Sequence, residues 1–327
     1  MMTRMTPIPV RDGSVAHTPI PRRSRMVPGA IPPRRSRLLA LLLAALVVVL
    51  GASGCEEAPP SAYTPVPFVT GYLFVDQPIT DVQVMMTQPL TEVFTYANGM
   101  ISDARVTIEG GGGTHVLSYR VVDGVGRYEL ADTSVKVLPE TMYRLRVELR
   151  DGTVLTGETT TPARFAWVRT PRPVVQYPKD TVNLPTSDSL RIEWTPSNIR
   201  EYLVRARCLD TLGYGTYLSP QTDEVNGRTN NIGQWEGPDE PTFYSTTRWG
   251  FLQSTVVNTV WSAFRWHGRH EIAILAPDAN MIAWFKATQF ARNPEYRGQF
   301  GSIRGGLGVF GSASLVSSEL FLLKRER

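Results

Sequence analysis

After residue 65 the dominant signal in this chain is an alternation of apolar and polar residues. Ala104, Val106 and Ile108 alternate with Arg105, Thr107 and Glu109. Tyr143, Leu145, Val147 and Leu149 alternate with Arg144, Arg146, Glu148 and Arg150, and Leu190, Ile192 and Trp194 with Arg191 and Glu193. Successive side chains of a β-strand point to opposite faces, so each run predicts a strand with one buried and one wet face. The runs are short and separated by Gly and Pro, which predicts an all-β fold of sandwich type rather than a parallel sheet with crossover helices. Arg150-Asp151-Gly152-Thr153 lies between two runs. Asp-Gly there predicts a tight primed hairpin turn, which needs positive φ angles.

Pro162, Pro171, Pro173 and Pro178 interrupt the alternation. They predict a linker over 162–178, between an N-terminal β-sandwich at 66–161 and a C-terminal sandwich-like domain at 179–327. A folded part of about 270 residues suits two domains of ordinary size. The second domain opens with Leu190-Arg191-Ile192-Glu193-Trp194-Thr195-Pro196, followed by the alternating stretch Tyr202–Cys208. This opening resembles the early strands of a fibronectin type III or immunoglobulin-like domain, with Trp194 as the buried anchor.

Two segments depart from a plain sandwich. The long polar loop at 211–247 carries Tyr214, Tyr217, Trp235, Phe243 and Tyr244. Aromatic side chains in a polar loop offer large contact area at low entropic cost, which makes these five a candidate binding surface. The alternative reading has them pack the loop onto the sandwich. The second segment is 278–293, where Asp278 suits an N-cap and Met281, Ile282, Trp284, Phe285 and Phe290 recur at helical spacing. One short helix is expected there, its aromatics serving as core contacts.

The first 54 residues have a different character. Arginines at 22, 23, 25, 34, 35 and 37 lead into the 13-residue apolar run Leu38–Leu50, and then Gly51-Ala52-Ser53-Gly54-Cys55. A spanning helix needs roughly 20 apolar residues, so the run suits the core of an export signal. Ala52, Ser53, Gly54 and Cys55 resemble a lipobox, which implies cleavage before Cys55 and a diacylglyceryl anchor on it. An ordinary secretory signal cleaved after a small residue is the competing reading. The acidic, proline-rich stretch at 55–65 reads as a tether, and its Glu56-Glu57 pair resembles surface-export signals of lipoproteins. Met1 and Met26 both stand as candidate starts.

The whole chain carries 34 basic and 30 acidic residues. Residues 1–54 hold eight of the basic and one of the acidic groups, leaving 26 and 29 and a net charge near −3. The basic balance belongs to the leader, so no nucleic-acid partner is expected. With Cys55 committed to lipid, Cys208 has no disulfide partner and is expected to be buried and inert.

Motifs for chemistry are sparse. Gly306-Leu307-Gly308-Val309-Phe310-Gly311 has the spacing of a dinucleotide loop, but a strand-like Leu315–Leu323 follows where a helix is required. Gly110 to Gly113 reads as a hairpin tip. His267 and His270 are three residues apart, and only a turn through Gly268 would bring their rings together. No catalytic residue, cofactor or metal site is expected.

Three segments together carry a wider resemblance: Phe68-Val69-Thr70-Gly71-Tyr72-Leu73, the hairpin from Tyr143 ending in Thr159-Thr160-Thr161-Pro162, and Ile303-Arg304-Gly305-Gly306-Leu307-Gly308-Val309-Phe310-Gly311. The chain thereby resembles a bacterial lipoprotein family known as domain of unknown function four-two-four-nine. That resemblance implies an outer-membrane lipoprotein of the cell envelope, with an accessory or ligand-capturing role beside a TonB-dependent receptor. The expectation is therefore a non-enzymatic binding or accessory module held on the bilayer through Cys55. A structural envelope protein and a secreted polymer hydrolase are the alternatives.

Overall fold

The alternating runs are strands in the computed structural model, which describes residues 63–89, 91–180, 190–229, 246–289 and 301–324. The expected leader, the lipobox Ala52, Ser53, Gly54 and Cys55, and the loop aromatics Trp235, Phe243 and Tyr244 lie outside the described residues. The first half contains β1 (Pro67–Phe74), β2 (Val82–Met86), β3 (Arg105–Gly110), β4 (Gly113–Val122), β5 (Val125–Glu129), β6 (Met142–Glu148) and β7 (Val154–Thr160). The second contains β8 (Trp167–Arg169), β9 (Val174–Gln176), β10 (Arg191–Trp194), β11 (Tyr202–Cys208), β12 (Thr247–Leu252), β13 (Val256–Asn258), β14 (Gly268–Pro277), β15 (Ile303–Arg304) and β16 (Leu307–Leu323). Among the described residues the α-helices are the single turn α1 (Tyr96–Gly99) and α2 (Ala279–Gln289). Among the described residues no helix is long and apolar enough to cross a membrane.

Hydrogen bonding runs in the order β12-β11-β14-β16-β1-β2-β5-β4-β3-β6-β7-β15. The path changes layer within β4, whose first half pairs with β3 and whose second half, from Ser118, pairs with β5. The two layers close on one core, with Val69, Leu73, Val82 and Tyr128 from one side meeting Val106, Ile108, Leu145, Val147 and Leu155 from the other. A separate three-stranded sheet, β13-β10-β8, covers the other end of the long layer. Its Ile192 and Trp194 pack on Tyr202, Ile272, Ile274, Leu320 and Leu322. The all-β sandwich architecture is thus present, with Trp194 buried as the core anchor.

The hairpin after β6 differs in detail from the primed turn. Only Gly152 has positive φ, at 87°. Gly152 N–H donates to Leu149 O, and Leu149 N–H to Thr153 O. This is a three-residue loop closed by a left-handed glycine, so Asp151 keeps an ordinary φ.

Residues 162–178 do not behave as a linker. They contain β8 and β9, and Val175 and Tyr177 are buried in the second core. Proline removes a donor but is tolerated at strand starts, and here Pro173 O accepts from Phe321 N–H at 2.7 Å just before β9. The two halves are also joined by β16. Its first residues pair in parallel with β1, its later ones antiparallel with β14, and Phe321–Leu323 in parallel with β9. Phe310 belongs to the first core while Leu320 and Leu322 belong to the second. Tyr63–Arg327 accordingly forms one compact unit rather than two independent domains.

α2 covers the opposite face of the long layer. Asp278 caps it, accepting from Met281 N–H at 2.8 Å. Met281, Ile282 and Phe285 pack on Leu203, Ala273, Leu275 and Ala313. Phe285 meets Trp249 at 5.0 Å between ring centroids, and Trp284 meets Phe68 at 5.8 Å. The aromatics of the expected helix are core contacts, as the spacing predicts; Phe290 lies outside the described residues.

Candidate functional site

The loop after β11 is organised by Asp210. Its Oδ1 accepts from Leu212 and Gly213 N–H at 2.9 and 2.8 Å, and its Oδ2 accepts from Tyr217 Oη at 2.8 Å. Those donors, the Gly213 N–H first, hold the Asp210 carboxyl below the usual carboxylate range. The short 3-10 turn Gly215–Tyr217 follows.

The loop's two described aromatics take different roles. Tyr214 is buried, its ring centroid 5.3 Å from that of Phe321 and its Oη accepting from Lys324 N–H at 2.8 Å. It packs the loop onto the sheet and is no part of a free surface, because its face is covered and its hydroxyl satisfied. Tyr217 is 43% exposed. It projects beside Phe321, at 6.3 Å between centroids, and the Arg269 guanidinium lies 5.2 Å from its ring centre.

Around Tyr217 the surface is concave. A groove of about 600 Å³ is lined by Pro173, Val174, Tyr217, Leu218, Arg269, Glu319 and Phe321. Its charged members form one pair, Arg269 Nη2 to Glu319 Oε2 at 2.9 Å. The strands fix these positions: Arg269 and Phe321 are cross-strand partners on β14 and β16, and β9 forms the wall on the other side of Phe321. Of the groove's residues, the aromatic pattern of the loop marks only Tyr217 as a binding residue. Val174 was hidden in the expected linker, Arg269 between two histidines, and Glu319 and Phe321 in ordinary strand alternation.

Two other recesses of about 420 Å³ are present. One is apolar, between β11, β12 and β13, with Ala206, Trp249, Leu252 and Val257 in its lining. The other lies on the outer face of β6 and β7 and is polar, with Glu109, Arg144, Arg146, Glu158 and Arg304.

Cys208, His267 and His270 make packing and backbone contacts. Cys208 is buried, and burial pushes its thiol up to about 11. Gly268 does make a turn, with φ 79°, but each histidine ring faces a backbone carbonyl: His267 Nδ1 is 3.0 Å from Gly227 O, and His270 Nδ1 3.0 Å from Gly268 O. Burial lowers the His270 imidazole to about 4. Among the described residues no three His, Cys, Asp or Glu side chains gather to hold a metal ion.

A family model, that of a domain of unknown function (DUF4249), matches residues 60–318. No curated protein and no solved structure matches the chain.

Proposed function

This chain belongs to the DUF4249 family, and from that premise and the leader-like pattern of residues 1–54 before Cys55 we propose that the protein is a lipid-anchored binding or accessory module of the bacterial outer membrane. In this reading it is not an enzyme. Its anchor is Cys55, its partner is an uptake receptor of the TonB-dependent kind, and its working surface faces away from the bilayer.

The observation that carries the reading is the position of the Tyr217 groove on β16. The chain enters the folded unit at Tyr63, whose Oη donates to Thr87 Oγ1 at 2.6 Å beside the start of β1. Phe68 at that start is in register with Leu307, the first residue of β16. Phe321 in the groove lies 14 residues further along the same strand, about 45 Å at the rise of an extended chain. Within the folded unit the groove therefore lies at the end remote from Tyr63, which suits a binding module attached through the residues before Tyr63. Leu307 and Phe321 sit on one continuous strand, which fixes the distance between the start of β1 and the groove.

The test is gentle membrane extraction of the native protein, with mass spectrometry of its N-terminus and of what co-purifies. A diacylglyceryl-Cys55 terminus and a stoichiometric outer-membrane barrel are expected. An unmodified terminus on a solitary soluble protein would overturn both the anchor and the partner.

A further inference from the structure

We infer that the Tyr217 groove is a carbohydrate site, shaped for the pyranose rings of a neutral glycan. This deepens the binding reading above and rests on it.

Tyr217 is an exposed aromatic ring that is nevertheless held in place. Its hydroxyl is bound by Asp210, which two backbone N–H groups fix in turn. Phe321 stands at its edge, backed by buried Tyr214. A large exposed ring with no freedom to turn away is a platform already paid for in entropy. The C–H face of a pyranose is a flat apolar surface that such a ring can cover.

The polar part of the groove suits the rim of the same ligand. Sugar hydroxyls both donate and accept, and here a guanidinium fork and a carboxylate lie side by side at 2.9 Å. Their side chains keep 38% and 58% exposure, so both retain hydrogen-bonding capacity toward the groove. The Arg269–Glu319 pair is itself neutral; the Asp210 carboxylate behind Tyr217 disfavours an anionic ligand, and the Arg269 guanidinium over the ring disfavours a cationic one. A wholly apolar ligand would strip water from Arg269 and Glu319 without replacing it. What remains is a neutral, amphipathic, hydroxyl-rich molecule, and 600 Å³ is a volume typical of sites for small ligands.

The experiment is calorimetric titration of the full-length protein in detergent with maltotriose, cellotriose, xylotriose and chitotriose, and in parallel with a library of extended tetrapeptides. Tyr217→Ala should weaken glycan binding about tenfold or more, the loss of one ring stack. Glu319→Gln keeps the shape and should weaken it less, while Trp249→Ala in the separate apolar recess should leave it unchanged. Thermal melts of each variant establish that it is folded. Glycan binding that Tyr217→Ala and Glu319→Gln both leave intact would overturn the site. Tetrapeptide binding lost in Tyr217→Ala, with no glycan bound, would overturn the carbohydrate assignment and leave the binding reading standing. Binding of neither ligand overturns the assignment; if the barrel is also missing from the extraction above, the binding reading falls with it.

Discussion

Thr159 Oγ1 donates a 2.6 Å hydrogen bond to Asp278 Oδ2, joining two buried residues 119 positions apart. Ser312 completes the contact, with Oγ 2.7 Å from Thr159 Oγ1 and N–H donating to Asp278 Oδ1 at 3.1 Å. The last strand of the first core, the cap of α2 and the strand shared by both cores thus meet at one carboxylate.

Asp278→Ala removes the helix cap, worth about 1 kcal/mol, and leaves a buried hydroxyl and N–H short of an acceptor, at about 1–3 kcal/mol each. A loss of about 3 kcal/mol is expected, seen as a fall in Tm of about 10 °C. Asp278→Asn, which can still cap, should lose less. A melt of Asp278→Ala matching the parent would show that the layers hold without this contact.

Acid should destabilise the fold through His270. Between about 4, its value when buried, and 6.5, its ordinary value, the unfolded chain takes up a proton that the folded chain refuses. Stability is therefore lost as pH falls through that window, by about 3 kcal/mol. Asp278 acts in the opposite sense. Burial raises its carboxyl, so the folded chain keeps that proton longer and loses stability as pH rises above the ordinary carboxylate range. Urea unfolding from pH 4 to 7 should show a flatter acid limb in His270→Phe and a steeper one in Asp278→Asn. Parallel curves for all three proteins would refute both assignments.

Cys208 should be silent to thiol reagents at neutral pH, because burial holds its thiol near 11. Labelling with iodoacetamide should appear only with denaturant, coincident with unfolding. If Cys55 carries lipid, the denatured mature chain will titrate one thiol; two would place a free sulfhydryl at Cys55.

Gly308→Ala should be among the most damaging single changes. Its φ is +115°, and a Cβ would fall inside contact distance of Val69 O across the β1–β16 ladder. More than about 3 kcal/mol is expected, from strain plus lost pairing. Gly112→Ala is the control: φ is +87° there too, but the added methyl meets open space, so only the backbone cost of about 1 kcal/mol applies. Equal urea midpoints for the two variants would contradict this account.

Much of the fold could be read from the chain because period-two alternation is a local signal. Tyr143 to Val147, Trp194 and the cap at Asp278 all lie as the pattern predicts. The expected linker fails because prolines mark backbone irregularity and say nothing of burial; Val175 and Tyr177 are buried between Pro173 and Pro178. The single unit was hidden for a related reason. β16 reads as one ordinary strand, and nothing local reveals that Phe310 and Leu322 enter different cores. The groove draws on 173–174, 217–218, 269 and 319–323, segments that only the tertiary fold brings together. Tyr214 and Tyr217 differ by three positions and by their entire role, since one meets Phe321 beneath the loop and the other stands above it.

β1 and β16 run parallel, with the chain entering beside the start of one and the groove at the far end of the other. A pull between an anchor before Tyr63 and a partner gripping the groove would act along the strands. The seven registered residue pairs from Phe68↔Leu307 to Phe74↔Ala313 would then bear the force together, in shear, instead of opening one after another. A ladder loaded in that direction resists far more than one peeled from its end, so the connection between the two strands is mechanically the strong one.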